Sequence, residues 1–147
     1  MRRFAVLLLA GLLLGDCTKH YDPPQGRWIG HFESPQVVVV AWLEILPGGD
    51  IRVSAPDYLD VGEPTADQRD TMHKRLASDL SDSWGAVKTR RYEFDGHVFR
   101  KEGGVAPQME WDANKKEMKV VFYFGMQHSI RIPMTAVKNF GEDPWLP

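Results

Sequence analysis

From Arg27 onward the sequence is a succession of short runs in which apolar and polar residues alternate, each broken off by glycine, proline, asparagine or aspartate. Alternation with period two puts one set of side chains on each face of an extended strand, and no helix can sort residues that way. Eight such runs follow one another: RWIGHFES, QVVVVAWLEIL, DIRVSA, KTRRYEF, HVFRKE, QMEWD, EMKVVFYF and HSIRIPMTAV. The connectors are too short for crossover helices, so consecutive strands pair antiparallel as a meander. FDGH puts Asp95 and Gly96 at the centre of a type I′ turn, and PGGD and DANKKE supply glycine or asparagine for the same purpose. Met118, Val120, Phe122 and Phe124 alternate with polar or amphipathic neighbours, as do Ile130, Ile132 and Met134, so one face is core and the other mostly wet. The expected fold is mainly β: about eight strands forming a small barrel or a strongly curved sheet.

One helix interrupts the meander, between the third and fourth strands. Thr65 and Gln68 form a capping box after Pro64, Met72, Leu76, Leu80 and Trp84 recur at four-residue spacing, and Gly85 stops the run, giving a helix over about 65–84. Its apolar stripe needs a partner. The nearly continuous apolar run Val37 to Leu43 would otherwise expose a greasy face, and is the expected one. His73 shares the helix with Asp70 and Asp79 and is assigned to its solvated polar face.

The first residues speak to address. Arg2 and Arg3 precede twelve uncharged, mostly apolar residues, Phe4 to Gly15, which is the build of a secretory signal and shorter than the roughly 20 apolar residues of a membrane span. Cys17, the only cysteine, stands at the border, so no internal disulfide is expected. Leu14, Gly15 and Cys17 resemble the lipobox of bacterial lipoproteins, with Asp16 departing from the small residue that pattern has before the cysteine. The resemblance implies lipidation of Cys17 and, since no aspartate follows at Thr18, an outer-membrane lipoprotein on the periplasmic side of the bacterial envelope. A competing reading takes Gly15 and Cys17 as the small residues of an ordinary cleavage site and gives a soluble periplasmic protein. The domain reading is signal peptide 1–16, tether 17–26 and one β-rich domain 27–147. If fully extended, the tether lets the domain stand up to ~30 Å from the membrane.

Composition excludes little beyond nucleic acid. Across 147 residues, 43% hydrophobic and 26% charged, the formal charge is only −2, which gives no bias toward nucleic acid or an anionic membrane. Phosphate-binding glycine loops, HExxH, GxSxG and paired CxxC are all missing from the sequence, so no catalytic residue, metal or cofactor is assigned. The histidines at 20, 31, 73, 97 and 128 never fall at a spacing that pairs two on one element, so a metal site would have to be assembled across strands by His31, His97 and His128. The basic residues of KTRRY, with Arg100 and Lys101 on the following run, lie near Glu93, Asp95 and Glu102 and are expected to form cross-strand ion pairs.

Gly26, Arg27 and Trp28 resemble the G-x-W at the start of the first strand of lipocalins and their calycin relatives. The resemblance implies an up-and-down barrel with an apolar cavity, Trp28 across its closed bottom and Arg131 stacked on that ring. The functional expectation is a non-enzymatic binding protein that accepts a small apolar or amphipathic ligand in the barrel. Trp28, Trp42, Tyr92, Trp111, Phe122 and Phe124 would form the wall, and Arg90 or Arg100 would meet an acidic head group. The same aromatics would equally fill a small barrel solid. In that alternative the protein docks another envelope protein through the outer apolar face around Val37 to Leu43.

Overall fold

The computed structural model describes residues 21–147 except 36, 55, 56, 61, 102, 104–106 and 125–127, with backbone alone for 57–60 and 124. Ten strand segments form one sheet: β1 (Gly26–Glu33), β2 (Val37–Ile45), β3 (Asp50–Val53), β4 (Asp57–Asp60), β5 (Arg90–Arg91), β6 (Glu93–Phe94), β7 (Val98–Arg100), β8 (Gln108–Asp112), β9 (Glu117–Phe124) and β10 (His128–Val137). The order across the sheet is β5-β3-β2-β1-β10-β9-β8-β7-β6, with β4 on β2, and every ladder is antiparallel. The two ends of that order, β5 and β6, flank Tyr92 in the chain, so the sheet curls into a nearly closed barrel. Helix α1 (Ala66–Ser83) lies where the sequence placed it, between the third and fourth alternating runs. The short β4, which has no clear alternation, precedes it unforeseen.

Strand β2 explains the two-layer build. Val39, Ala41, Leu43 and Ile45 point into the barrel, whereas Val38, Val40 and Trp42 point outward, and both sets are buried. A continuous apolar run is the mark of a strand covered on both faces. The outer cover is α1, with Leu76 buried and Met72, Leu80 and Trp84 packed against it, together with Phe140 and Leu146 from the C-terminal segment. The capping box is formed: Thr65 Oγ1 accepts from the Gln68 N–H, and Gln68 Oε1 accepts from the Thr65 N–H at 2.8 Å. At the other end of the helix Arg52 donates to the carbonyls of Trp84 and Val87 and sits 4.7 Å from the Trp84 ring centroid. A cation is favourable there because unsatisfied carbonyls leave that helix end negative. Glu44, nearly buried at the outer end of β2, holds both Arg27 (2.8 Å) and Arg52 (3.3 Å).

Two turns differ from expectation. At Asp95–Val98 only Gly96 has positive φ (+97°), so Gly96 and His97 are the central residues and the turn is not type I′. The reason is the Asp95 carboxylate, which accepts from the His97 and Val98 N–H groups at 2.9 and 2.8 Å and fixes Asp95 as the first residue. These bonds and Arg100 beside it hold the Asp95 carboxyl at a pKa of about 2. After β8, Asp112 caps the N–H groups of Asn114 and Lys115, and Lys116, not Asn114, takes positive φ (+56°). That arrangement suits a longer loop in which the left-handed residue follows the tight turn.

Residues before β1 are pinned to one end of the barrel. The Tyr21 ring lies against Gly96, and Pro23 against Gly49 in the β2–β3 turn. The tether is therefore partly docked rather than free along its length.

β1 pairs with β10 only from Arg27–Val137 to Gly30–Met134. One step beyond, Pro133 still faces Lys119 of β9 but has no partner on β1, so its missing N–H leaves no break in that ladder. Gly30 is where the backbones are tightest: a Cβ there would meet Met134 Sδ at 2.5 Å and the Pro133 carbonyl oxygen at 2.6 Å. Gly30→Ala is expected to destabilise the fold by about 1–3 kcal/mol, as overpacking does. Gly85→Ala, which meets nothing within 4 Å, should stay within about 0.5 kcal/mol. Urea unfolding of the two variants measures the contrast.

Candidate functional site

The barrel interior receives some of the expected wall. Trp28, Tyr92 and Phe122 share it with Phe99, Met109 and Met118, and Trp111 packs partly buried against them. Trp42 belongs to the other face, in the layer under α1, because it differs from Leu43 by one step on a strand of period two. Arg90 and Arg100 are exposed outside, and Arg100 pairs with Asp95 at 2.6 Å. Neither arginine reaches the interior. Arg131 is outward too, 3.4 Å from Glu110, and does not stack on Trp28. Cys17 lies outside the described residues, as does the side chain of Phe124.

Among the described residues the interior is tightly packed: Leu43, Ile51, Phe99, Met109, Val120 and Ile132 are each 0% exposed. Among the described residues one polar atom is caught inside: the Tyr92 hydroxyl is buried with no hydrogen-bond partner. Burial raises its pKa, with Arg90 opposing, and an unsatisfied hydroxyl of this kind costs about 1–3 kcal/mol.

Histidine, carboxylate and tryptophan side chains gather instead on the outer face. His73 is 3% exposed, which corrects its assignment to the solvated face of the helix. It precedes Leu76 and Ala77 by three and four residues and so shares their buried stripe. The wet side is marked by the Lys74–Asp70 pair at 2.7 Å. His73 Nε2 lies 2.8 Å from Glu33 Oε1, while its Nδ1 is buried without a partner. The Trp145 ring stacks on His73 at 4.3 Å, and His31 stands edge-on to Trp145 at 4.4 Å and to His73 at 5.4 Å.

The C-terminal segment that delivers Trp145 is held by a long-range bond. Trp42 Nε1 donates to Asp143 Oδ2 at 2.8 Å, and the Trp42 ring stacks on Phe140 at 4.4 Å and 3°. Asp143 also accepts from the Trp145 N–H at 3.0 Å. Sequence reading missed this segment because its partners are far away in the chain; the cue was DPW, an acid and an aromatic after the last strand.

Between that segment and the outward faces of β1 and β10 lies a pocket of about 550 Å³. Ile29, Pro133, Val137 and Pro144 supply apolar wall, and His31, Thr135, Glu142, Asp143 and Trp145 supply polar atoms. A largely apolar concavity of several hundred Å³ with a few fixed polar groups is the usual form of a small-molecule site. A smaller concavity of about 310 Å³ lies outside β7–β9, where His97, Glu110, Trp111, Lys115 and Lys119 mix both charges. His31, His97 and His128 are not brought together, and among the described residues no group of three His, Cys, Asp or Glu side chains could hold a metal ion. Comparison with known proteins finds no matching family model, no similar curated protein and no similar solved structure.

His31 titrates below its ordinary value of 6.5, chiefly through burial and secondarily through His73, with Glu33 and Asp143 opposing. Between the lowered value and 6.5 the unfolded chain binds more protons at this site than the folded one, so stability rises with pH through that window. Acidifying below 6.5 should remove this contribution, and His31→Gln should flatten that part of the curve of unfolding free energy against pH.

Proposed function

We propose that the protein is an exported, lipid-anchored, non-enzymatic binding protein of the bacterial envelope, and that its ligand is a small amphipathic molecule held in the outer pocket under the C-terminal segment. The single observation that carries the reading is that pocket, open and apolar-walled, outside a barrel whose described inner side chains are closely packed. The ligand site thus moves from the barrel cavity expected from the sequence to the outside of the same sheet. Binding is favoured over catalysis because, among the described residues, the histidine that meets a carboxylate, His73, has its other nitrogen enclosed, where it cannot exchange a proton with a bound molecule.

Docking of another envelope protein through the face around Val37 to Leu43 meets a covered surface, since Val38, Val40 and Trp42 lie beneath α1 and the C-terminal segment. Lipidation at Cys17 would have a geometric consequence. With Tyr21 on Gly96 and Pro23 on Gly49, the free tether from Cys17 spans four residues, ~14 Å at full extension, rather than ~30 Å. The barrel end carrying those turns would then face the membrane.

A neutral fluorescent naphthylamine should bind the full chain saturably, with emission responding to Trp145. Thr135 is exposed on the pocket wall, so Thr135→Trp should abolish uptake without loss of stability. Uptake that survives Thr135→Trp would put the ligand elsewhere. For the address, Cys17→Ser should move the protein from the membrane to the soluble periplasmic fraction and end labelling by radioactive palmitate; an unlabelled, soluble wild-type protein would refute the anchor.

A further inference from the structure

We infer that the outer pocket selects an organic cation, a small molecule with an ammonium head on an apolar body; this rests on the reading of that pocket as the ligand site. Its wall contains two carboxylates, Glu142 and Asp143, and neither a lysine nor an arginine. Asp143 is 4% exposed, and its oxygens receive neutral N–H groups, from the Trp42 indole and the Trp145 backbone. Glu142 receives an amide, from Asn139 at 3.2 Å. Among the described residues neither carboxylate pairs with a lysine or arginine. Two arginines of the adjoining strands are engaged elsewhere: Arg27 on Glu44 and the Lys138 carbonyl, and Arg131 on Glu110.

Chemical complementarity follows from that arrangement. Apolar walls lower the local dielectric and concentrate the field of the carboxylates in the concavity. A neutral ligand would gain only the burial of its apolar body against Ile29 and Val137. An anion of the same shape would gain the same burial but meet like charge. A cation would gain both contributions. His31, the only basic side chain in the wall, is kept neutral near pH 7 by burial and by His73 beside it, so it does not offset the carboxylates. The acidic head group expected to meet Arg90 or Arg100 is thereby disfavoured at this site, which those residues do not line.

The test is a matched series on the full chain at neutral pH: phenylpropylammonium, phenylpropanol and phenylpropanoate, followed by calorimetry and by Trp145 indole shifts. The expected result is that the ammonium compound binds about tenfold or more tighter than the carboxylate, with the alcohol between. Glu142→Gln, an exposed change, should shrink the preference, and Asp143→Asn, which keeps an acceptor for the Trp42 indole but sets its amide against the Trp145 N–H, should shrink it further, with unchanged protection of the Leu146 amide as the check that the segment stays in place. If phenylpropanoate binds as well as or better than the ammonium compound, or if the preference is untouched in both variants, the cation inference falls while the pocket stands. If no member of the series binds, the pocket reading itself falls and takes the inference with it.

Discussion

A strand buried on both faces is the constraint from which this structure follows. β2 cannot be solvated on either side, because Val38, Val40 and Trp42 are as apolar as Val39, Ala41 and Leu43. Closing the sheet into a barrel covers only the inner set. The outer set needs a second layer, and α1 with the C-terminal segment supplies it. What fixes that layer is polar: the Trp42 indole to Asp143, and Glu44 through Arg52 to the end of the helix. Hydrophobic burial is non-directional, whereas these bonds specify where the segments lie.

The pocket is a by-product of how that outer layer is attached. β1 and β10 cease to pair beyond Gly30 and Met134, and the C-terminal segment crosses outside them to reach Trp42. Trp145 is thereby stacked on His73, leaving a concavity between the tail and the sheet. Each side chain that gives the pocket its character is thus held by contacts that also hold the fold. The Glu33–His73 pair works the same way, tying β1 to α1 at 2.8 Å while the ring above it packs against Trp145.

Alternation made the meander legible, and the capping box at Thr65 and Gln68 made the helix start legible, since both are local patterns. β2 showed its double burial as an unbroken apolar run. What could not be read were pairings between distant segments. Trp42 and Asp143 are 101 residues apart, and Glu33 and His73 are 40 apart, and nothing near any of them in the chain signals its partner. His73 is instructive, since charged neighbours at Asp70 and Asp79 suggested a wet face, yet the flank of the apolar stripe already included it. The parity of Trp42 was readable once the interior face of β2 was chosen. Its neighbour Leu43, facing Trp28 in the ladder, takes the interior place, so Trp42 had to face out.

The central claim is that the C-terminal segment is a structural latch on the outer face of β2, held by the Trp42 indole. Amide hydrogen exchange across the full chain, wild type against Trp42→Phe, tests it most directly, because it resolves local opening from global unfolding. The substitution keeps the aromatic stack on Phe140 and leaves Asp143 short of a donor, a loss of about 1–3 kcal/mol. Protection at the Asp143 and Leu146 amides, which bond within the segment, should fall by about tenfold to a hundredfold, with the β9–β10 ladder far less affected. Unchanged protection in the segment, or an equal loss everywhere, would contradict the latch.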